Sequence, residues 1–560
     1  MDTAEQMNTI VEELACKRCQ SHFAISSWEH NLHIKVEVPT PVLCPACRSQ
    51  LRLMHLNQLH LFQGQCAGTG DRIITHFPPN SPYKVCSQAY WYSDAVNNTE
   101  YGREFDFGRP FFDQFHELSL DANWDALATS YTTDENCDFT NYCGNNKNCY
   151  LIFNSNFNWD CYYSYGLNDS KNSLDCTRAQ GLELCCETID STRCYGCAHI
   201  FNSENCSDSF FLNNCIACSN CIMCCNLHHK EYHYRNQPIA QEKFQELKKL
   251  LARHASRTEM EREFKLYRLK YPEKYLRGFH NESVSGNNLL RCKNALHCYD
   301  GVKIEDGMYC NQMFDTGKDC LDCDECGGVE VTYASMNSGI NSYNLLFCFC
   351  CDCQVSNLTY CVRCTLGCSH LFGCVGLKKK QYCILNREYR EEEYLELVPR
   401  IIAHMRDTGE WGQFFPAKLS PYPYNITLAQ DHFPLTKAEA VTQGYRWLEP
   451  DQREYKPATC KLPDQIQDVP ESICQELLAC SECSKNYKII PQELRFYQQI
   501  GLALPRTCFQ CRHHSRFGKR TGRILFPYRC DACQAPLQTA HAPDTAQKIY
   551  CEKCFQDQLY

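Results

Sequence analysis

The pattern Cys-x-x-Cys, 24 residues, Cys-x-x-Cys occurs twice in this chain of 560 residues. One copy is Cys16, Cys19, Cys44 and Cys47; the other is Cys480, Cys483, Cys508 and Cys511, offset by 464 at every position. Flanking residues agree at the same offset: Leu14 with Leu478, Ala15 with Ala479, Glu29 with Glu493, Pro41 with Pro505 and Arg48 with Arg512. An ungapped match of this kind is a duplication. A C-x-x-C turn points two sulfurs the same way, and a second such knuckle completes a tetrahedron around a zinc ion. Four thiolates leave no position open for water, so such a site is expected to be structural and not catalytic. In a module with little core, zinc binding supplies on the order of 10–16 kcal/mol of the folding free energy.

A further quartet, Cys530, Cys533, Cys551 and Cys554, has a shorter run between its two pairs, also within zinc spacing. The same offset places these four on Cys66, Thr69, Ser87 and Tyr90, so the N-terminal equivalent is expected to have lost its metal. It is expected to hold together through Tyr90, Trp91 and Tyr92, with Cys66 and Cys86 buried or free. About three zinc ions follow, with the twelve quartet cysteines as ligands.

Thirty more cysteines lie between the ends, 15 from Cys137 to Cys225 and 15 from Cys292 to Cys383. These halves also correspond: Cys143 with Cys292, Cys149 with Cys298 and Cys161 with Cys310 at one offset, Cys218 with Cys368, Cys224 with Cys374 and Asn236 with Asn386 at a nearby one. Cys176, Cys197 and Cys218 are 21 residues apart, and apolar triplets alternate with Asn, Asp, Ser and Gly. A fixed period near 20 residues marks a solenoid, here read as one rung of ~21 residues stacked at ~4.8 Å. Three readings of the body cysteines stand side by side. They fill the core as free thiols; or Cys194, Cys197, Cys215 and Cys218 hold additional zinc across adjacent rungs; or the run Cys215, Cys218, Cys221 and Cys224 holds an iron–sulfur cluster.

The stretch from Cys480 to Arg512, with LACSECSKNY and CFQCR, resembles the probable zinc-ribbon domains of bacterial proteins. With CPACR, YGREFDFGRPFFDQF, KNCYLIF and YPYNIT, the chain as a whole is similar to a group of large, cysteine-rich bacterial zinc-ribbon proteins of unknown role. The resemblance covers most of the chain. It implies zinc and an intracellular setting, and brings no activity with it.

The expected fold class is mainly β with helical connectors: zinc-ribbon modules at both ends flank a duplicated, cysteine-rich, parallel β-solenoid-like body. The expected segments are 1–92 (ribbon plus degenerate ribbon), 93–136 (aromatic connector), 137–236 (first cysteine-rich copy), 237–286 (helical connector), 287–386 (second copy), 387–475 (helix and extended segment) and 476–560 (tandem ribbons). In the connectors, the phenylalanines of 101–118 are expected to be buried. Residues 238–277 read as one or two helices, and Trp411 to Tyr424 as an extended run along the surface.

Acidic residues near the start, where a signal peptide would need basic ones, and the lack of a long apolar run point to a cytoplasmic protein with no membrane partner. In that compartment cysteines stay reduced or hold metal; an oxidising one would pair them. No nucleophile elbow, HExxH helix, phosphate loop or dinucleotide fingerprint is present, so no enzyme is expected beyond a thiol-redox alternative. The net charge of −10 excludes indiscriminate nucleic-acid coating. One basic stretch remains, residues 494–529, which holds no acidic side chain. Arg512, Arg516, Lys519, Arg520 and Arg523 are its candidate RNA or DNA contacts. The competing expectation is a scaffold whose body grips a protein partner.

Overall fold

The computed structural model describes residues 9–559 except 131, 280, 282, 283, 285, 291, 293–297, 302–317, 323, 325–328, 338, 340 and 451–453. Cys310 lies outside them. The chain divides into two units, each discontinuous in sequence. The first joins Met1–Ala128 to Leu276–Glu449; the second joins Thr129–Tyr275 to Pro450–Tyr560. The N-terminal module therefore shares a unit with the second cysteine-rich copy, and the C-terminal module shares one with the first.

Each cysteine-rich copy is a ladder of short parallel pairings. In the second unit, Glu135 pairs with Lys147, Asp138 with Tyr150, Asn141 with Phe153 and Gly144 with Asn156. A bridge falls every third residue, and its partner stands one full rung further along the chain. That rung is the spacing |i−j|=12 that separates the stacked side chains of Asn146 and Asn158. A rung therefore has four sides, each one triplet long. This corrects the longer rung expected from the cysteine spacing. The strands Tyr165–Asn168, Thr177–Gln180, Cys186–Ile189, Ala198–Phe201, Phe210–Asn213 and Ile222–Cys225 stack in sequence order with parallel pairings. In the first unit, three successive rungs take a thirteenth residue, as in Tyr343 with Ser356 and Ser356 with Ser369.

The triplet explains the sequence. One residue of each three turns the corner with positive φ, as at Asn136, Phe139, Tyr142, Asn145 and Asn148 (51–58°). Asn and Asp tolerate this conformation best, and their side chains also stack: Asn136 Nδ2 donates to Asn148 Oδ1 (2.8 Å), and Asn148 Nδ2 to Asp160 Oδ1 (3.2 Å). A second residue points inward. All first-copy cysteines except Cys186 and Cys225 sit a multiple of three from Cys137, and the spacing of Cys176, Cys197 and Cys218 is simply seven triplets. Serine takes the same inward place at Ser164, Ser170, Ser191 and Ser203, all buried.

Each ladder ends on an asparagine that imitates the next rung. Cys225 N–H donates to Asn236 Oδ1 (2.9 Å), while Asn236 Nδ2 donates to Cys225 O (2.8 Å). Val375 and Asn386 repeat this pair in the other unit (2.8 and 2.9 Å). An edge blunted in this way offers fewer free groups to another strand.

Residues 238–277 form two helices, Gln241–Leu250 and His254–Arg268. They bury Phe244, Leu247, Met260 and Phe264 against the outward apolar column of Phe210, Phe211 and Ile222, leaving Leu250 and Leu269 exposed. In the 101–118 segment Phe111, Phe112 and Phe115 are buried on helix Phe111–Asp121, but Phe107 is exposed. The run from Trp411 to Tyr424 is not a surface strap. Trp411, Phe414, Phe415, Tyr422 and Tyr424 are buried, and Phe415 packs its ring 4.9 Å from Phe115 and 5.7 Å from Tyr360. Proline keeps that backbone extended, but the area of its rings places it in the core. Among the described residues no helix is long and apolar enough to cross a membrane.

Candidate metal centres

Three groups of four cysteines converge: Cys16, Cys19, Cys44 and Cys47; Cys480, Cys483, Cys508 and Cys511; Cys530, Cys533, Cys551 and Cys554. The first pair of each group sits on a knuckle closed by two backbone bonds. Cys480 N–H donates to Lys485 O (2.9 Å) and Ser484 N–H to Cys480 O (3.0 Å). The residue after the second cysteine is left-handed each time: Gln20, Ser484 and Gln534, with φ of 62°, 61° and 63°. The second pair starts a helix. Cys44 and Cys508 are the N-caps of Pro45–Leu53 and Phe509–Phe517, and Cys551 directly precedes Glu552–Leu559.

Sulfur separations decide what the groups can hold. Cys19–Cys44, Cys480–Cys511 and Cys483–Cys508 are 3.7 Å apart, and Cys533–Cys551 3.8 Å. A disulfide needs ~2.05 Å. Four sulfurs each ~2.3 Å from a central ion lie ~3.8 Å apart, so all three groups fit a tetrahedral metal ion. Backbone donors prepare the sulfurs. Burial pushes the Cys480 thiol up, but the N–H groups of Cys483, Cys508 and Glu482 outweigh it and bring the thiol down to about 7. At Cys530 the same balance gives about 6.

The degenerate module keeps the knuckle without the ligands. Cys66 N–H donates to Asp71 O (2.8 Å), Gly70 N–H to Cys66 O (2.9 Å) and Ser87 N–H to Cys66 Sγ (3.3 Å), the last matching Cys551 N–H on Cys530 Sγ (3.3 Å). Gly70 supplies the positive φ of 77°. Thr69, Ser87 and Tyr90 hold the other three ligand positions, and Cys66 and Cys86 are buried with Trp91 and Val96.

In the second candidate site, the basic stretch, the two helical arginines face inward. Arg512 and Arg516 lie one turn apart on helix Phe509–Phe517 and are 6% and 0% exposed. Arg512 Nη1 meets Glu493 Oε1 (2.9 Å) and its Nε meets Asp175 Oδ2 (3.2 Å). Arg516 Nη1 meets Asp175 Oδ1 (2.7 Å), and its Nε donates to Thr177 Oγ1 (3.2 Å). The first unit repeats the arrangement. Arg48 Nη2 meets Glu29 (3.1 Å) and its Nε meets Asp322 (2.9 Å); Arg52 Nη1 meets Asp322 (3.2 Å) and its Nε meets Asp324 (2.8 Å). Burial opposes the charge on Arg516, but Asp175 and Glu187 hold its guanidinium above the ordinary value.

Four of the five basic candidates thus make ion pairs within their own unit. Besides Arg512 and Arg516, Arg520 Nε sits 2.8 Å from Asp190 Oδ1 with its side chain 4% exposed, and Lys519 reaches Glu261 at 3.3 Å. Arg523 is half-buried. A guanidinium needed to neutralise a buried carboxylate is not available to a phosphate. The excess of positive charge is visible in the sequence, but partners such as Asp175 and Asp190 are not, because they belong to a distant part of the chain.

Cys194, Cys197, Cys215 and Cys218, the cross-rung alternative, are not among the convergent groups of the described residues. With a twelve-residue rung Cys194, Cys206 and Cys218 fall in one column, one rung apart, and Cys194 Sγ lies within reach of Thr192 O (3.4 Å) and Ser203 O (3.8 Å). Cys215 belongs to another side of the rung, so Cys194, Cys197, Cys215 and Cys218 do not converge on one point. Nor is the run Cys215, Cys218, Cys221 and Cys224 among the convergent groups of the described residues. These are successive inward positions around one turn, and their sulfurs lie within reach of main-chain carbonyls, as Cys206 does with Glu204 O and Cys215 O (both 3.4 Å).

No family model and no curated protein matches this chain. A solved structure called an acetyltransferase, from Desulfovibrio desulfuricans G20, aligns with 9% identity over 42% of this chain and 63% of its own, so the match spans less than two thirds of that protein. Its TM-score of 0.10 leaves it without weight for fold or chemistry.

Proposed function

We propose that the protein is a structural zinc protein that acts as an interaction scaffold: three zinc-ordered ribbons clamp two cysteine-rich parallel β-solenoids. The observation that carries this reading is the matched pair of buried networks, Arg48–Asp322–Arg52 and Arg512–Asp175–Arg516. In both units the ribbon spends its paired arginines on the ladder beside it, which is the behaviour of a clamp and not of a ligand reader. Zinc is favoured because four sulfurs at tetrahedral separation suit a d¹⁰ ion, and a closed set of four is the structural kind of site. A protein partner is supported by the exposed rings of Phe157, Trp159 and Tyr195 on the first ladder (59%, 48% and 49% exposed). Exposed aromatic residues are favoured at protein interfaces.

The test is metal analysis of the purified full chain together with passage over RNA and DNA at low salt. About three zinc ions per chain, no iron and no retention are expected. Iron at the tetrads, or retention lost on raising salt, would replace this reading with a redox or nucleic-acid one.

A further inference from the structure

The third tetrad differs from the other two in exposure and in what it holds. In the two quartets that carry the arginine helix, the first and third cysteines are buried: Cys16 and Cys44 (0% and 7%) and Cys480 and Cys508 (3% and 6%). In the third only Cys530 is buried; Cys533 is exposed, and Cys551 and Cys554 are partly so. No arginine pair stands at the equivalent positions after Cys554.

The third module instead grips one short segment. Strand Ile549–Tyr550, directly before Cys551, pairs in parallel with Glu273–Lys274. Glu273 N–H donates to Lys548 O (2.8 Å), Tyr275 N–H to Tyr550 O (2.9 Å), and Thr539 Oγ1 to Tyr275 O (2.7 Å). Strand Ile549–Tyr550 is in turn tied to the first knuckle. Asp531, between Cys530 and Cys533, donates its N–H to Ile549 O (3.0 Å) and accepts Ile549 N–H on Oδ2 (2.7 Å). So Cys530, Asp531, Ile549 and Cys551 form one continuous path from the metal centre to residues 273–275, the last residues before the first unit's second segment begins at Leu276. The other face of Glu273 is held by Asn213 Nδ2 (3.0 Å) and Arg268 (3.2 Å).

From this we infer that Cys533 and Cys551 are an oxidation site for a peroxide, and that their oxidation opens a clasp on residues 270–275; the inference rests on the zinc reading above. The two sulfurs are already 3.8 Å apart. Their thiolates give up two electrons and form one S–S bond, while the O–O bond of hydrogen peroxide breaks, takes up both electrons and leaves two hydroxides. Closing to ~2.05 Å draws Cys551, and with it Ile549–Tyr550, toward the exposed knuckle and leaves two sulfurs where four are needed. Thiolate character and access set susceptibility to oxidation, and this tetrad has the most access.

The experiment treats the zinc-loaded full chain with sub-stoichiometric hydrogen peroxide. It follows released zinc with a chromogenic chelator, disulfides by peptide mass spectrometry, and trypsin cleavage after Lys270 and Lys274. The first zinc released should accompany a Cys533–Cys551 disulfide and at least tenfold faster cleavage at those lysines, both reversed by a thiol reductant and added zinc. An Asp531→Ala chain should keep three zinc ions yet be cleaved there without peroxide. Disulfides arising first in either other tetrad, or full protection of Lys270 and Lys274 once Cys533–Cys551 has formed, overturn the inference. A chain purified with fewer than three zinc ions fails the earlier reading instead.

Discussion

Asp175 receives Arg516 Nη1 on Oδ1 at 2.7 Å, and both side chains are fully buried. Asp175 also takes Arg512 at 3.2 Å, so one carboxylate holds both arginines of helix Phe509–Phe517. The desolvation cost of such a group is offset only while all partners are present. Removing one partner from a buried pair costs about 3–5 kcal/mol, whereas apolar replacement of the whole set is close to neutral. Asp175→Ala is therefore expected to destabilise the second unit by that amount. Asp175→Leu combined with Arg512→Met, Arg516→Met and Glu493→Leu, which also removes the buried partner of Arg512, should lose far less. Hydrogen exchange resolved by peptide checks this: loss of protection should be confined to residues 129–275 and 450–559. Asp322→Ala should do the same within the first unit.

The degenerate module is a second test, since its knuckle has kept its geometry. Tyr90 lies over Gly68, where even a Cβ would fall 2.1 Å from its ring, so the ring covers the knuckle that a metal would face. Thr69→Cys, Ser87→Cys and Tyr90→Cys together restore the ligand set at positions whose backbone bonds match Cys530 and Cys551. Metal analysis should then rise from about three to about four zinc ions per chain. An unchanged count would mean that the loss of ligands has been followed by loss of the knuckle's shape.

What can be read from the residues follows from how local each signal is. A C-x-x-C knuckle and its helix lie within one short stretch of chain, so the tetrads and the lost fourth site are legible in spacing alone. The rung is harder to read. Cys176, Cys197 and Cys218 suggest too long a period, although the factor three runs through nearly all the first-copy cysteines, and Ser164, Ser170 and Leu167 occupy the same inward positions. The pairing of Arg516 with Asp175 is out of reach, because each ladder shares its unit with the tetrad module from the far end of the chain. One hint is present: the N-terminal ribbon keeps Arg48 and Arg52 while most of the other basic residues have gone, which fits residues needed for burial and not for surface charge.

Inward cysteine should be exchangeable with serine. Ser203 Oγ donates to Phe201 O (2.8 Å) and accepts Cys215 N–H (3.2 Å), the place that Cys206 holds with Glu204 O on a neighbouring side. Cys206→Ser is expected to be tolerated because its hydroxyl finds the carbonyls of Glu204 and Cys215 that the thiol now faces, and Cys206→Leu to cost about 1–3 kcal/mol because the rung has no room for added methylenes. Urea unfolding of the two variants orders them. Alkylation of the native chain should also leave Cys176, Cys197, Cys206 and Cys215 unlabelled, since burial pushes the Cys176, Cys197 and Cys215 thiols well up and hides all four.

Acid sensitivity of the first unit should run through His55. Its ring is 1% exposed and lies among Phe349, Phe414 and Phe415, with centroids 5.5–6.1 Å away. Burial brings its pKa down to about 3 from an ordinary 6.5. Between those values the unfolded chain binds a proton that the folded one refuses. The folded state is thus fully favoured by this residue above pH 6.5 and loses that advantage as pH falls toward 3. At about 1.4 kcal/mol per pH unit, the loss approaches about 4–5 kcal/mol at the lower end. His55→Phe keeps a ring among rings and removes the proton site. Its stability relative to wild type should therefore rise steadily from pH 6.5 to pH 4, measured by urea unfolding with the tetrads metal-loaded at each pH. A difference that stays constant across that range would show that His55 is not the group through which acid acts on this core.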